Sequence, residues 1–239
     1  MINLMYHDIS FGLDMSSGFQ TEVSMAYKVD AIEFEKHVKQ CVGKNVVFSF
    51  DDGGVSFYTE AAPILERYGF KGVFFISTAF IGKPGFLTEE QIRDLDARGH
   101  IIGSHTHNHL RDLSLFDRET IENEWNKSVD VLSKILNKRI RYASLPNGDG
   151  STVVYDAIRK TGITEIYTSV PTTKIVKKDG VNIFGRYTIL NSFSSTKVRS
   201  IVFSKGTRNR MYIKWYVISI IKKVLGKQYY NLRRFIATH

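Results

Sequence analysis

Short apolar segments alternate along this chain with longer stretches whose apolar residues recur at helical spacing. Seven of the short segments are rich in β-branched and aromatic residues, and several are apolar almost throughout. Such runs are typical of strands in a parallel sheet, because helices cover both faces of that sheet. The predicted strands cover residues 2–6, 46–50, 72–76, 100–104, 141–145, 165–169 and 183–187.

Amphipathic helices are predicted between the strands. Asp30 with Glu33, and Thr88 with Gln91, have the spacing of a capping box, in which two residues three positions apart bond each other's backbone at a helix start. The longest predicted helix covers residues 117–136, with apolar residues at every third or fourth position. These core-facing residues are Ile121, Trp125, Val129, Leu132 and Leu136.

The alternation predicts an α/β fold, a distorted or incomplete (β/α) barrel of about seven parallel strands. An open doubly wound sheet would give the same pattern. We predict a barrel domain over residues 1–195 and a basic, amphipathic C-terminal extension over 196–239, packed on that domain or trailing from it. A barrel matters for function because its catalytic groups lie at the carboxyl ends of the strands.

Composition indicates an ordinary globular chain. Of its 239 residues, 43% are hydrophobic and 13% aromatic, which is enough for a sizeable core and excludes global disorder. The single cysteine, Cys41, forms no disulfide within the chain and is predicted to be a buried, inert thiol. Nothing in this composition requires an oxidising compartment.

The first residues show no basic leader followed by an apolar segment, so export by a signal peptide is not expected. No stretch approaches the roughly 18 apolar residues that a membrane-spanning helix needs. We therefore expect a cytoplasmic protein, either free or peripheral at the inner face of the membrane.

Two adjacent carboxylates follow the second predicted strand. Asp51 and Asp52 come directly after residues 46–50 and are followed by Gly53 and Gly54, which let the backbone turn sharply. Neighbouring carboxylates repel each other, so the pair gains little unless a cation lies nearby. Taken alone, the pair indicates either a metal site or an ordinary loop or helix start.

Three histidines follow the fourth predicted strand. His105, His107 and His109 come directly after residues 100–104, and side chains at i and i+4 can converge on one side of a helical turn. Two imidazoles and one carboxylate are a common ligand set for zinc or a similar ion, with one position left open for water. His105 and His109 therefore indicate a metal site, whereas His107 is expected to point elsewhere.

The segments 49–53 and 104–109 resemble the first two motifs of the polysaccharide deacetylase superfamily, also called carbohydrate esterase family 4, with its NodB homology domain. The segments 4–7, 61–68 and 72–76 resemble the same family, so that the resemblance covers residues 1–170. It implies a deformed (β/α) barrel that removes acetyl groups, by metal-activated water, from N-acetylated or less often O-acetylated sugars. The implied partner is an acetylated amino-sugar glycan or a precursor of one.

The resemblance also implies roles for individual residues. Asp51 corresponds to the catalytic base, and Asp52, His105 and His109 correspond to the ligands of one divalent metal ion. Zinc is expected, although cobalt and nickel share these ligands. The third motif corresponds to residues 143–148, where Pro146 and Asn147 are expected to bind substrate. The backbone amide of Asn147 would stabilise the oxyanion of the reaction.

The chain departs from the family pattern in its later motifs. The family's third motif brings an arginine that orients the base, but Ala143 or Ser144 stands at that place and Arg141 is out of register. A later family motif brings a histidine that protonates the leaving amine, and it is missing here. His7, which follows the first predicted strand, is the best substitute for this acid, although a structural role is equally open.

Two further histidines are not expected at the site. His37 falls on the helix before the second strand and is predicted to face solvent. His100 stands at the start of a strand, which places it at the opposite end of a barrel.

The basic residues are concentrated near the end of the chain. The net charge is +9, the last acidic residue is Asp179, and residues 180–239 carry twelve Lys and Arg. Apolar residues between 213 and 224 fall on one helical stripe beside lysines. Such a helix either covers the barrel wall or lies on an anionic membrane surface. Nucleic acid is not an expected partner, because no recognised binding motif accompanies the charge.

Three functions remain open from the sequence. The first is a metal-dependent deacetylase of acetylated sugars. The second is a glycan-binding member of the same family that is catalytically weakened by its missing motifs. The third is a peripheral membrane protein that acts on lipid-linked glycan intermediates.

Overall fold

The computed structural model describes residues 1–12, 14–148 and 150–225. Eleven strands lie in this part of the chain, and nine of them form the main sheet, while β2 and β3 form a small parallel pair. In chain order they are β1 (Ile2–Tyr6), β2 (Ile9–Ser10), β3 (Val29–Asp30), β4 (Val46–Phe50), β5 (Gly72–Ile76), β6 (Ile101–Ser104), β7 (Tyr142–Ser144), β8 (Glu165–Tyr167), β9 (Ile175–Lys178), β10 (Val181–Phe184) and β11 (Tyr187–Thr188).

Eight α-helices are found in the same residues. They are α1 (Glu22–Met25), α2 (Ala31–Lys39), α3 (Ala62–Arg67), α4 (Glu89–Ala97), α5 (Arg118–Leu136), α6 (Thr152–Lys160), α7 (Ser195–Phe203) and α8 (Lys205–Leu225). Short 3-10 turns cover Thr78–Phe80, Leu113–Leu115 and Pro146–Gly148, and a π-helical turn covers Phe57–Ala61.

The main sheet has the order β11-β1-β4-β5-β6-β7-β8-β10-β9, and all neighbours are parallel except β9, which runs antiparallel to β10 at one edge. β10 and β11 belong to opposite ends of this sheet, yet only Gly185 and Arg186 separate them. Three peptide steps span at most about 11 Å. The sheet must therefore curl until its ends nearly meet, which confirms the predicted incomplete barrel and excludes the doubly wound alternative.

The prediction of one strand over residues 183–187 is wrong. The chain forms β10, breaks at Gly185 and Arg186, and continues as β11 on the other side of the barrel opening. A Cβ atom at Gly185 would lie 2.4 Å from the carbonyl oxygen of Val170, so only glycine allows this close approach. The side-chain amide of Asn3 on β1 donates a hydrogen bond to the backbone carbonyl of Gly185 (3.0 Å), and this bond joins the two ends of the sheet.

The helix starts follow the capping rules with one difference. Thr88 and Gln91 form the predicted capping box of α4. Asp30 caps α2 by accepting from the amides of Ile32 and Glu33, but Glu33 does not complete the box. Its carboxylate instead accepts from the backbone amide of Ser195 (2.6 Å), and this bond joins α2 to α7.

Aromatic side chains fill the space between the sheet and the helices around it. Tyr6 and Phe50 stack with ring centroids 5.5 Å apart, and Phe50 contacts Phe74 at 5.1 Å. All three are completely buried. Burial of each such side chain contributes about 1.5–3 kcal/mol, so this cluster helps to fix the strand ends that carry the site.

The buried position of His37 contradicts the prediction that it faces solvent. Its ring lies on the inner face of α2, where it forms a hydrogen bond with the hydroxyl of Tyr6 (3.2 Å) and donates to the carbonyl of Phe193 (2.9 Å).

His100 is buried as well. Its ring accepts a hydrogen bond from the backbone amide of Gly72 at the start of β5, so His100 lies at the opposite end of the barrel from the site, as predicted. The buried thiol of Cys41 likewise agrees with the sequence.

The C-terminal part of the described chain consists of α7 and α8. α7 packs on the core through Val198 and Ile201, while no residue of α8 with described burial is buried. The first turns of α8 bond α7 through Arg208, and beyond them the described residues of α8 are not buried on the barrel wall. No helix of the described residues is both long and apolar enough to span a membrane.

The predicted domain boundary at residue 195 stays a prediction. Residues 226–239 of the predicted C-terminal extension lie outside the described part of the chain.

Candidate metal centre

The carboxyl ends of β4 and β6 bring three predicted metal ligands together. Asp52 follows β4, and His105 and His109 follow β6, with β5 between the two strands. Nε2 of His105 lies 3.5 Å, and Nε2 of His109 3.3 Å, from Oδ1 of Asp52. One ligand atom from each residue lies within 4.8 Å of the others, a spacing that could hold one metal ion.

Hydrogen bonding orients the His105 ring for such a role. Its Nδ1 atom donates to the carbonyl oxygen of Ser144 at the end of β7 (2.9 Å). A carbonyl only accepts, so this bond keeps a proton on Nδ1, and in the neutral ring the lone pair is on Nε2, which faces the cluster. The arrangement is one that metal-binding histidines commonly show.

The histidine loop is not the helical turn that the sequence suggested. Thr106 and His109 have positive φ angles of 65° and 55°, and Asp52 has a φ angle of 89°. Such angles cost non-glycine residues about 1–3 kcal/mol each and persist only where the surroundings enforce them. Three strained residues in the cluster's two loops therefore mark a built site.

A buried glutamate on α5 holds the histidine loop in this shape. The carboxylate of Glu124 accepts from the backbone amides of His107 (3.1 Å) and Asn108 (2.8 Å) and from the Asn108 side chain (2.6 Å). The His107 ring turns away and pairs through Nδ1 with the hydroxyl of Thr78 (2.8 Å), as predicted for it. The loop thus presents its first and last histidines to Asp52.

The ionisation states of His109 and Asp52 suit metal binding, whereas His105 would have to give up a proton to bind a cation. Burial lowers the pKa of His105, but the charge of Asp51 and the hydrogen bond with Asp52 outweigh it and raise that pKa above its usual value. Burial lowers the pKa of His109 to about 4, so its imidazole is neutral at pH 7 and can offer a lone pair. Burial alone would raise the pKa of Asp52, but a hydrogen bond with His105 and the nearby histidines outweigh it and hold that pKa well below its usual range. Neutral imidazole and ionised carboxylate are the forms that a divalent cation requires.

Asp51 faces the cluster and is held by an arginine. Nη1 and Nη2 of Arg186 donate to the two Asp51 oxygens (2.6 and 2.7 Å), and both side chains are almost completely buried. Oδ2 of Asp51 lies 3.9 Å from Nε2 of His105. Burial raises the pKa of Asp51, but the charges of Arg186 and His105 outweigh it and lower the pKa below its usual value. Asp51 is thus ionised beside the metal ligands without being one of the three.

Arg186 uses all of its donors inside the barrel. Besides Asp51, it donates to the hydroxyls of Ser49 (3.3 Å) and Ser144 (2.7 Å) and to the carbonyl of Thr168 (3.1 Å). Its guanidinium also lies over the Phe75 ring, 5.5 Å from the centroid. A guanidinium has five N–H groups, and each has a partner here. Arg186 therefore fixes the Asp51 carboxylate relative to β4, β5, β7 and β8.

Arg186 is not among the residues that the sequence predicts for the site. The family pattern places an arginine near the third motif, where Arg141 is out of register and exposed. The usable signal was a single arginine after a glycine inside an otherwise strand-like run at residues 181–188. A charge within such a run indicates either a buried partner or a break in the strand, and Arg186 has both.

The remaining predicted site residues lie around the same rim. His7 follows β1, its ring contacts that of Tyr27 (4.5 Å), and its buried Nδ1 atom makes no hydrogen bond with the described residues. Pro146 and Asn147 follow β7, where Pro146 is buried and Asn147 is exposed with a φ angle of 55°. The structure brings these residues to the correct end of the barrel, and their roles stay predictions.

Comparison with curated proteins gives partial matches. YxkH of Bacillus subtilis (strain 168) is 28% identical over 174 residues, which cover 66% of this chain and 61% of that protein. Chitin deacetylase of Arthroderma benhamiae is 31% identical over 107 residues, which cover 44% of this chain and 28% of that protein. The chain therefore spans less than two thirds of the length of these relatives.

Solved structures agree on the fold, and a family model identifies the sequence. The Streptococcus pyogenes deacetylase PplD, solved in complex with acetate, superposes with a TM-score of 0.69 over 84% of this chain and 97% of that one, at 21% identity. At this identity the likeness concerns the fold. The family model described as polysaccharide deacetylase matches residues 39–166, more than half of the chain. This chain belongs to the polysaccharide deacetylase family, as its first two motifs predict.

Proposed function

We propose that this protein is a metal-dependent hydrolase that removes acetyl groups from N-acetylated sugars of a polysaccharide or glycan precursor, with O-acetylated sugars as poorer substrates. One observation carries the proposal. An ionised carboxylate, held by a buried arginine, lies beside a cluster of two imidazoles and one carboxylate at the carboxyl ends of the barrel strands. Membership of the deacetylase family supports the same reaction.

The donor set of Asp52, His105 and His109 fits one divalent ion, with zinc preferred over cobalt and nickel. When bound, such an ion would lower the pKa of a coordinated water molecule to about 7 and polarise the acetyl carbonyl. The three side chains supply fewer ligands than the four of a closed structural zinc site, which leaves a position for substrate chemistry.

Asp51 would act as the general base and accept a proton from the attacking water. Arg186 keeps its carboxylate ionised and fixes its orientation, so that the basic oxygen faces the cluster at every turnover. The Asp52 carboxylate is engaged by His105 and His109 and is thus a ligand and not a base. This division gives the adjacent carboxylates different roles.

The leaving amine needs a proton, and we assign its donation to His7. The His7 ring stands at the end of β1 with a buried nitrogen that lacks a partner among the described residues. The backbone amide of Asn147, next to Pro146, would stabilise the oxyanion. We expect His7→Asn to lower kcat by about 100-fold or more while the bound metal is unchanged. An unchanged kcat would remove His7 from the mechanism.

The proposed function is tested by acetate release. Protein loaded in turn with Zn²⁺, Co²⁺ or Ni²⁺ should release acetate from chitooligosaccharides, and more slowly from O-acetylated xylan. Sugar binding without acetate release under all three metals would favour the alternative of a glycan-binding member. Release that is equally fast in metal-free protein would contradict metal dependence.

We further propose a cytoplasmic location with α8 resting on the anionic inner face of the membrane, where lipid-linked glycan intermediates would be substrates. The support is the exposed surface of α8, where Ile213 and Val217 lie beside Arg210 and Lys214, and the absence of any acidic residue in that helix. The protein should co-sediment with vesicles containing phosphatidylglycerol, and Arg210→Glu with Lys214→Glu should abolish this. Equal sedimentation of that variant would refute the location.

A further inference from the structure

Three phenylalanines form a partly exposed cluster outside the residues to which the proposed function gives a role. The rings of Phe19, Phe80 and Phe86 contact one another at centroid distances of 4.9, 5.2 and 4.9 Å. Each side chain is only partly buried, whereas Phe48, Phe50 and Phe74 in the core are completely buried. We call these three residues the aromatic platform.

The platform adjoins the open side of the metal cluster. Side chains of His105 and Asp52 are 2% and 9% exposed, whereas that of His109 is 18% exposed. A ligand can therefore reach the cluster most easily past His109. The ring of Phe19, the member of the platform nearest to the cluster, lies 5.1 Å from the His109 ring. A sugar that enters past His109 with its acetyl group at the cluster would lie beside these phenylalanines.

Backbone bonds fasten the platform to the loop that carries Asp52. The carbonyl of Gly85 accepts from the amides of Gly18 (2.7 Å) and Val55 (2.9 Å), so that one oxygen joins three loops. Phe86 itself forms an isolated β-bridge with Gly54. The distance from the platform to the cluster is thus set by the backbone, and a site of this kind is preorganised.

We propose that the aromatic platform is a subsite that stacks a pyranose ring of the acetylated amino-sugar substrate, an inference that rests on the proposed function. The face of a pyranose ring presents C–H groups with partial positive charge, and the face of an aromatic ring is negative. Ligand sites combine such apolar surfaces with a few polar groups that fix orientation. Here the platform supplies the apolar surface, and the cluster and Asp51 supply the polar groups.

The geometry limits which rings take part. Nζ of Lys83 lies over the Phe80 ring, 4.7 Å from the centroid, and covers one of its faces. Phe19 meets both neighbours edge-to-face and separates them from His109. Phe86 is accordingly the ring whose replacement tests stacking with the least disturbance of the metal cluster.

The platform could instead be a small hydrophobic core that only joins the loops, and kinetics distinguish the two roles. We expect Phe86→Leu to raise KM for chitotetraose, a tetramer of β-1,4-linked N-acetylglucosamine, with a fall in kcat/KM of about 10-fold, equivalent to about 1.4 kcal/mol. The kcat/KM for p-nitrophenyl acetate, which has no sugar ring, should be unchanged. Phe86→Trp keeps a stacking surface and should restore most of the efficiency.

Phe203→Leu is the matched control. Phe203 is 47% exposed and contacts Lys44 before the start of β4, at the other end of the barrel. Its replacement should leave both activities as in the wild type. Equal losses on both substrates for Phe86→Leu, or none on either, would overturn the subsite and leave the proposed function intact. Wild-type protein that deacetylates no chitotetraose would overturn the subsite too, and inactivity on both substrates would count against the proposed function itself.

Discussion

Replacement of Arg186 by methionine is expected to lower the free energy of unfolding by about 3–5 kcal/mol. Arg186 is completely buried, and its removal leaves the Asp51 carboxylate in the barrel interior without a counter-charge. If Asp51 is the base, as we propose, the same change should reduce deacetylation by at least about 100-fold, because the Asp51 carboxylate loses its fixed orientation. Chemical denaturation and acetate release measure the two effects. The bound metal should stay near the wild-type level, since Arg186 contacts none of the three ligands.

A double-mutant cycle separates the ion pair from general damage to the core. Arg186→Met combined with Asp51→Asn removes both charges and should be less destabilising than the sum of the single changes by about 1–3 kcal/mol. Arg118→Met is the matched control, because the Arg118–Glu122 pair is exposed and its loss should cost about 0–1 kcal/mol. Additive effects of the two buried changes would contradict the pairing that we describe.

Local sequence pattern was sufficient for much of the fold and for the choice of three side chains that the structure brings together as candidate metal ligands. Mostly apolar runs of five residues gave the bounds of β1, β4 and β5, because strands buried on both faces are apolar at nearly every position. Asp52 and His109 are far apart in the chain, but parallel strands end at one edge of the sheet. A polar residue directly after such a strand is therefore already placed at the site.

Features that depend on how the sheet closes could not be read from pattern. Arg186 reaches Asp51 only because β10 and β11 lie at opposite ends of the sheet and those ends meet. Periodicity carries no information about this meeting, and it therefore predicts a single strand over residues 183–187. His37 shows the same limit, since its buried position is set by Tyr6 and Phe193, which are remote in the sequence. The left-handed backbone of His109 likewise follows from tertiary bonds to its loop and not from residue type.

The largest effect on the metal is expected from His109→Ala. Removal of a residue that merely supports a ligand weakens metal binding about 10–100-fold, so loss of a ligand itself should raise the dissociation constant for Zn²⁺ by at least about 100-fold. Zinc at about 1,000 times its dissociation constant should add about 4 kcal/mol to the stability of the wild type. The variant should lose most of this gain, which thermal unfolding with and without zinc would measure.

His107→Ala is the comparison that gives this experiment its meaning. His107 lies in the same loop, two residues from His109, yet its ring bonds Thr78 and is not part of the cluster. Its replacement costs one hydrogen bond, about 0.5–1.5 kcal/mol in stability, but should leave the zinc-dependent gain intact. If both variants lose that gain equally, the loop as a whole and not the His109 imidazole is responsible. If neither loses it, the three side chains are not the metal ligands, and the chemistry assigned to Asp51 has no partner.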